Sequence, residues 1–437
     1  MSITGGQLRV VAIADADSYV KWAGALLDAV PDIRRQMVLV RTPLTVSTDQ
    51  EQSALAGTRF TSDDVARVDY TALAGWLSHA RPDVVVIAGR GPFVRVVLRQ
   101  IDRIHPRPVV VTGMPGISIP AQRGALTYRR EYDLFVIHSR REARAFDDLA
   151  GRLGVDVPVG LATLPFAQPV TPHRTGTDLV FAAQALIPTT TGERRELADI
   201  LRAAAEASPS RRVVVKLRAR PGEQETHFER DSFPDLLRDR PRNLVFSHQP
   251  MSAALGRAEG LVTVSSTAAI EAIACGVPVI ALDTFGVSKA NLNTVFHGSG
   301  LFGDADDVIA RRFRHPSLAW MDENYFHDPA ESTWWSQVED LVSRRRRGEL
   351  PERLQPRRRG GALREAWDRK SVLGYEDRTL AGSVAYAIGV PVREALLTAR
   401  KVRGNRGRES WSDPTTDITI TPALRQDPML RRRPVRT

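Results

Sequence analysis

Short apolar runs rich in β-branched residues recur along the chain, each followed by a polar turn and then by a stretch whose apolar positions repeat at helical spacing. Leu8–Ala14 (LRVVAIA) is the first of them, predicting a buried strand, with a turn at Asp15–Ser18 and a helix through Val30. The pattern returns at Met37–Val40, Val84–Ala88, Val109–Thr112 and Leu134–Ile137. Apolar strands alternating with helices predict a parallel sheet covered on both faces. Beyond a proline-broken stretch, Pro158 to Pro172, a second series predicts strands at Leu179–Ala182, Val213–Leu217, Leu244–Phe246, Leu261–Val264 and Val279–Leu282. Its helices are expected at Glu193–Ala207, Met251–Arg257 and Thr267–Cys275. The expected architecture is α/β: two doubly wound Rossmann-like lobes, residues 1–170 and 171–343, with ligands held beyond the carboxyl ends of the strands in a central cleft.

The length agrees, because 437 residues exceed the roughly 250–300 at which single cores stop growing. From residue 344 to 437 the pattern gives way to a basic, partly helical or disordered tail with arginine runs at Arg344–Arg347 and Arg357–Arg359. Within it Leu380–Ala399 predicts a modest amphipathic helix interrupted by Gly389 and Pro391. The tail also explains the net charge of +10: residues 341–437 carry 23 Lys/Arg against 11 Asp/Glu, and residues 1–340 carry 38 against 40. A nearly neutral body argues against a nucleic-acid partner, as does a tail without the interleaved aromatics of a stacking platform. A basic segment beside an amphipathic helix implies weak peripheral contact with a membrane at most. The single cysteine, Cys275, leaves no disulfide framework or cysteine-built metal site. With no charged segment leading into an apolar run at the N-terminus, and no stretch of about 18 apolar residues, a cytoplasmic protein is expected, with the inner membrane face as its membrane contact.

The densest chemistry lies in Gly260–Leu282 (GLVTVSSTAAIEAIACGVPVIAL). A buried strand ends at Val264, Ser265–Thr267 form a polar turn, a helix of small residues follows, and Gly276 stops it. Hydroxyl residues where a strand turns into a helix predict unsatisfied backbone N–H groups and the positive end of a helix dipole at one point, which is an anion site. Glu271, four residues after Thr267, falls on the same helical face, where it can accept from ribose or sugar hydroxyls. This run resembles the donor-binding segment of GT-B glycosyltransferases and their relatives: nucleotide-sugar 2-epimerases, capsule polysaccharide transferases and CDP-glycerol glycerophosphotransferases. The resemblance implies that Ser265, Ser266 and Thr267 meet the donor's phosphates and Glu271 a hydroxyl. Val213–Pro221 (VVVKLRARP) stands where capsule-type transferases often read Lys-Pro-His-Pro, which implies donor contacts for Lys216 or Arg218, and His248 stands at a strand end where these folds hold the nucleotide base.

In the first lobe, Ala14–Trp22 (ADADSYVKW) places two carboxylates, a lysine and a tryptophan directly after the first strand. Asp15 or Asp17 is expected to act as the base that takes an acceptor hydroxyl's proton, with Lys21 and Trp22 holding an acidic or sugar-like acceptor. Gly113 and Gly116, in a Gly-Met-Pro-Gly turn after another strand, would let backbone approach the acceptor. His138, ending Leu134–Ile137, is the second candidate base. The set ADSYVKW, TGMPGIS and VIHSRRE is similar to a bacterial family of glycosyltransferase-like proteins over most of residues 8–300. No Walker loop, His-Glu-x-x-His or Gly-x-Ser-x-Gly elbow occurs, and Asp15-Ala16-Asp17 lacks the surroundings of a metal-dependent transferase. No metal or resident cofactor is expected; a nucleotide-sugar is the co-substrate. The expected reaction moves a sugar or related unit from that donor to a cell-surface glycan or glycolipid acceptor. The alternatives are a catalytically silent GT-B-like scaffold or binding protein, and a nucleotide-sugar epimerase.

Overall fold

The computed structural model describes residues 7–44, 46–167, 176–217, 231–351 and 360–402. The first sheet is built from β1 (Leu8–Ala14), β2 (Ile33–Val40), β3 (Val65–Val68), β4 (Val84–Ala88), β5 (Val109–Gly113), β6 (Leu134–Ile137) and β7 (Val159–Leu161). They lie in the order β3-β2-β1-β4-β5-β6-β7, and all are parallel. Val10, Ala12 and Ala14 of β1 enter one core layer while Val11 and Ile13 enter the layer on the other face, so the strand reads as an unbroken apolar run. The edge strands β3 and β7 are absent from the sequence reading. An edge strand needs little apolar surface, and only Val68 of β3 and Gly160 of β7 are buried.

The second sheet holds β8 (Asp178–Ala182), β9 (Val213–Lys216), β10 (Leu244–Ser247), β11 (Ala258–Thr263), β12 (Val279–Leu282) and β13 (Phe302–Gly303), in the order β10-β9-β8-β11-β12-β13, again parallel. Each sheet therefore reverses its strand order beside its first strand, between β1 and β4 and between β8 and β11. Those are the switch points where crossover connections diverge and leave a crevice. The architecture is two Rossmann-like α/β lobes.

Seven helices frame the site and join the lobes: α1 (Asp17–Asp28), α2 (Gly91–Ile101), α3 (Arg140–Leu153), α4 (Ala268–Ala274), α5 (Trp334–Arg346), α6 (Gly361–Leu373) and α7 (Leu380–Val402). The expected boundary at residue 343 falls inside α5. Trp334, Val338 and Val342, spaced by four, form one apolar stripe on that helix and bury it against the first sheet with Val109, Val111, Leu134 and Val136. Gly160 makes the close approach feasible, since a Cβ there would stand 2.9 Å from the Trp334 backbone. α6 continues onto α2, where Arg99 donates to the Glu365 carbonyl at 3.2 Å and reaches Asp368 at 3.4 Å. Within the partly helical tail expected from residue 344, the chain thus returns to its first lobe. Apolar periodicity predicts that a helix has a buried face without saying which sheet covers it. α7 also runs through Gly389 and Pro391, where an interruption was expected. Among the described residues, no helix is long and apolar enough to cross a membrane.

Candidate functional site

Register assembles the second lobe's site. Val262 of β11 lies beside Phe181 of β8, so three residues further along both strands Ser265 meets Gln184 across the switch point. The Ser265 N–H donates to Gln184 Oε1 at 3.1 Å, and Gln184 Nε2 donates to Ser265 Oγ at 3.1 Å. Next along the turn the Ser266 N–H donates to Thr263 Oγ1 at 3.0 Å and the Ala268 N–H to Ser266 Oγ at 3.2 Å. Three of the amides expected to await an anion are therefore satisfied by neighbouring side chains, which corrects the sequence reading: hydroxyl and amide side chains at a strand-to-helix turn compete for the same N–H groups. Gln184 was not singled out from sequence. The available signal was its position just past the first strand of the second series.

The carboxyl ends of the two sheets meet at this turn. Gly116, in the loop after β5, lies so close to Thr267 that a Cβ there would stand 2.8 Å from Thr267 Oγ1. One turn into α4, Glu271 pairs with Lys21 of α1 at 3.5 Å, a partly exposed ion pair joining the lobes. Asp17, four residues before Lys21 in the first turn of α1, shares that helix face. Lys216, buried at the end of β9, donates from its ammonium to the Leu217 carbonyl. His248, after β10, is half-buried, and its Nδ1 has no hydrogen-bond partner among the described residues. Arg218 lies outside the described residues.

At the first lobe's switch point Ala14 lies beside Ala88, so Asp15 leaves the sheet next to Gly89 and Arg90. The Asp15 side chain is 1% exposed, and neither carboxyl oxygen has a hydrogen-bond partner among the described residues. Burial pushes its pKa up to about 7, opposed by the positive charge of Arg90 and by its own backbone amide. Asp15 and Asp17, equivalent from sequence, thus occupy different environments.

Trp22 and His138 do not fill their expected roles. Trp22 is fully buried, and its Nε1–H donates to His138 Nε2 at 2.7 Å. The imidazole Nδ1, 3.1 Å from the Ala162 carbonyl, must then carry the proton. Both ring nitrogens of a fully buried, neutral imidazole are engaged, and burial lowers its pKa to about 4. His138 is accordingly a structural partner and not a free base, and Trp22 cannot stack on an acceptor. Gly113 belongs to the same packing, because a Cβ there would lie 2.3 Å from the Trp22 ring. His138 and Trp22 stand 116 residues apart, so no local pattern announces the pair.

Two Rossmann-like lobes whose switch-point ends meet in this way constitute the GT-B arrangement. The chain belongs to the family described as "Putative glycosyltransferase (DUF6716)", which matches residues 10–341, and membership supports glycosyl transfer as its general activity. No curated protein matches the chain in sequence. Among solved structures it is similar to the S. aureus MnaA–UDP co-structure, at 10% identity and a TM-score of 0.49, over 80% of this chain and 100% of that one. It is similar also to the Neisseria meningitidis UDP-GlcNAc 2-epimerase bound to UDP-GlcNAc, at 12% identity and a TM-score of 0.45, over 77% and 99%. A third is Phytolacca americana UGT2 complexed with UDP-2fluoro-glucose and pterostilbene, at 14% identity and a TM-score of 0.41, over 78% and 96%.

Proposed function

We propose that this chain transfers a sugar or related glycosyl unit from a nucleotide-activated donor at the second lobe's switch point to a hydroxyl of a glycan or glycolipid acceptor at the first. The observation that carries the reading is Asp15: a buried carboxyl without a partner, with its pKa pushed up to about 7, where the first sheet reverses its strand order. A general base works best with a pKa near the working pH, and a buried carboxyl that costs stability at neutral pH is the kind of group found at functional sites. In this reading Asp15 takes the proton from the acceptor hydroxyl as that oxygen attacks the anomeric carbon. The bond from that carbon to the phosphate oxygen breaks, and the nucleotide leaves with the bonding electrons. The hydroxyls of Ser265, Ser266 and Thr267, with Lys216, would bear the phosphate charge. Gln184 would exchange its bonds with Ser265 for bonds to the donor. Glu271 would release Lys21 and accept from a ribose or sugar hydroxyl, leaving Lys21 and Asp17 to the acceptor's polar groups.

Thermal unfolding of the full chain in the presence of UDP, CDP, GDP and dTDP tests the donor site. At 100 times its Kd a nucleotide that binds the native state adds about 2.7 kcal/mol of stability. The expected result is a rise in Tm with one nucleotide, lost in Glu271→Ala and reduced in Gln184→Ala. Without nucleotide Glu271→Ala should unfold close to wild type, because the pair it breaks is partly exposed and such pairs contribute about 0–1 kcal/mol. No shift with any nucleotide, or an undiminished shift in Glu271→Ala, would remove the donor site from this turn.

A further inference from the structure

From Leu380 to Pro391 the chain reads LAGSVAYAIGVP, twelve residues without a charge, and all of them lie in α7. One side of this stretch is packed. Gly382 and Ala385 are buried, and Gly389 sits so close to α6 that a Cβ there would stand 2.1 Å from the Trp367 ring. The opposite side faces solvent. Leu380, Val384 and Ile388, spaced by four and so forming one stripe, are 86%, 55% and 52% exposed. Ala381, Ala387 and Pro391 are exposed as well, and Tyr375 stands out just before the helix. Among the described residues eight large apolar side chains are exposed, and six of them fall between Leu363 and Ile388. Isolated exposed apolar residues are ordinary on a protein surface, but a stripe of three on an uncharged helix stretch, with the other three close by in sequence, is the mark of a covered surface.

The charge of the flanking sequence indicates what covers it. Residues 360–391 are neutral, with four basic and four acidic side chains. Residues 344–359 before them carry eight arginines against two glutamates, and residues 392–437 after them carry eleven Lys/Arg against five Asp/Glu. The chain's whole positive excess is therefore placed on either side of residues 360–391. An apolar helix face between two cationic stretches suits a surface that is apolar below and anionic above. We propose that the Leu380–Pro391 stretch of α7 lies in the interface of an anionic lipid bilayer, with the Leu380, Val384 and Ile388 stripe inserted among the acyl chains and the positive charge of the adjoining sequence favouring anionic headgroups. The helix rests on the bilayer without crossing it. The proposal goes beyond the transferase reading and does not depend on it.

The experiment is co-sedimentation of the full chain with sucrose-loaded vesicles of phosphatidylcholine containing about a third phosphatidylglycerol, beside vesicles of phosphatidylcholine alone. Wild type is expected to pellet with the anionic vesicles, at least tenfold more weakly with the neutral ones, and less as salt is raised. Leu380→Asp/Val384→Asp/Ile388→Asp changes only exposed side chains, so it should keep the wild-type Tm while losing at least tenfold in vesicle affinity. Equal binding by wild type and the triple variant would overturn the proposal, as would no binding to anionic vesicles. So would sedimentation equilibrium showing a dimer that the triple variant abolishes, which would give the face to a second copy. Vesicle binding absent in the full chain that appears once residues 403–437 are removed would give it to the chain's own C-terminal segment.

Discussion

Replacing Asp15 by asparagine is expected to cut turnover by about 10²–10⁴ and, at the same time, to make the protein more stable above neutral pH. The catalytic half follows from the role proposed for the carboxylate, since asparagine keeps the shape and loses the base. Nucleotide affinity should survive, because Asp15 stands on the opposite lobe from Ser265 and Glu271. The stability half follows from linkage. Burial raises the folded pKa from 3.8 to about 7, so between those values the native state binds a proton that the unfolded chain has released. Stability is therefore greatest below about pH 4, falls as pH rises through the window, and carries the full penalty above about 7. A difference of that size corresponds to a cost on the order of 4 kcal/mol at pH 8. Urea unfolding of wild type and Asp15→Asn at pH 4 and pH 8 checks the sign: the variant's advantage should be clear at pH 8 and nearly gone at pH 4. Turnover of the wild type should rise through about pH 7 and then level off as the base becomes ionised. A variant that retained turnover, or one less stable than wild type at pH 8, would end the assignment of Asp15 as base.

The same loop shows how far the sequence could be read. The strand before Asp15 was legible because a parallel strand buried on both faces needs a continuous apolar run, and β1, β4, β5, β6, β8 and β12 all have one. The carboxylates after β1 were visible in the sequence, yet that Asp15 is buried and Asp17 partly exposed is legible only in the structure. Asp15 emerges beside Gly89 and is buried, whereas Asp17 opens a helix whose outer face is partly exposed. The hydroxyl turn was located correctly, but its amides were not, because the partner that satisfies Ser265 is Gln184, 81 residues earlier. α5 illustrates the same limit on a larger scale. Its stripe is visible in the sequence, but the sheet it covers is chosen by a long-range contact.

Glu142 was missed because it reads as one more charge in Arg140–Leu149, where charged side chains normally meet water. In the structure it is fully buried at the start of α3, and replacing it should destabilise the protein far more than breaking the partly exposed pair of Lys21 and Glu271. Its Oε1 accepts from the Ser118 N–H at 2.8 Å and from the Tyr325 hydroxyl at 2.7 Å, and its Oε2 accepts from the His138 N–H at 2.9 Å. Ser118 and His138 belong to the loops after β5 and β6, and Tyr325 to the chain beyond the second sheet, so one carboxylate ties the lobes together. The adjacent Arg141 extends the tie, donating to the carbonyls of Val295 at 2.7 Å and Thr294 at 3.1 Å. Burial raises the Glu142 pKa, and the three donors and the charge of Arg141 oppose that rise. Glu142→Ala leaves two buried backbone N–H groups and a phenol without an acceptor, each costing about 1–3 kcal/mol, and removes a carboxyl whose electrostatics are coupled to the buried Arg141. The expected loss is about 3–5 kcal/mol by urea unfolding. Tyr325→Phe removes one donor and leaves the carboxylate two others, so about 1–2 kcal/mol is expected. The double variant should cost less than the two single losses added together, because Tyr325 has nothing to donate to once Glu142 is gone. A Glu142→Ala loss no larger than that of Tyr325→Phe would mean that this carboxyl does not tie the lobes together.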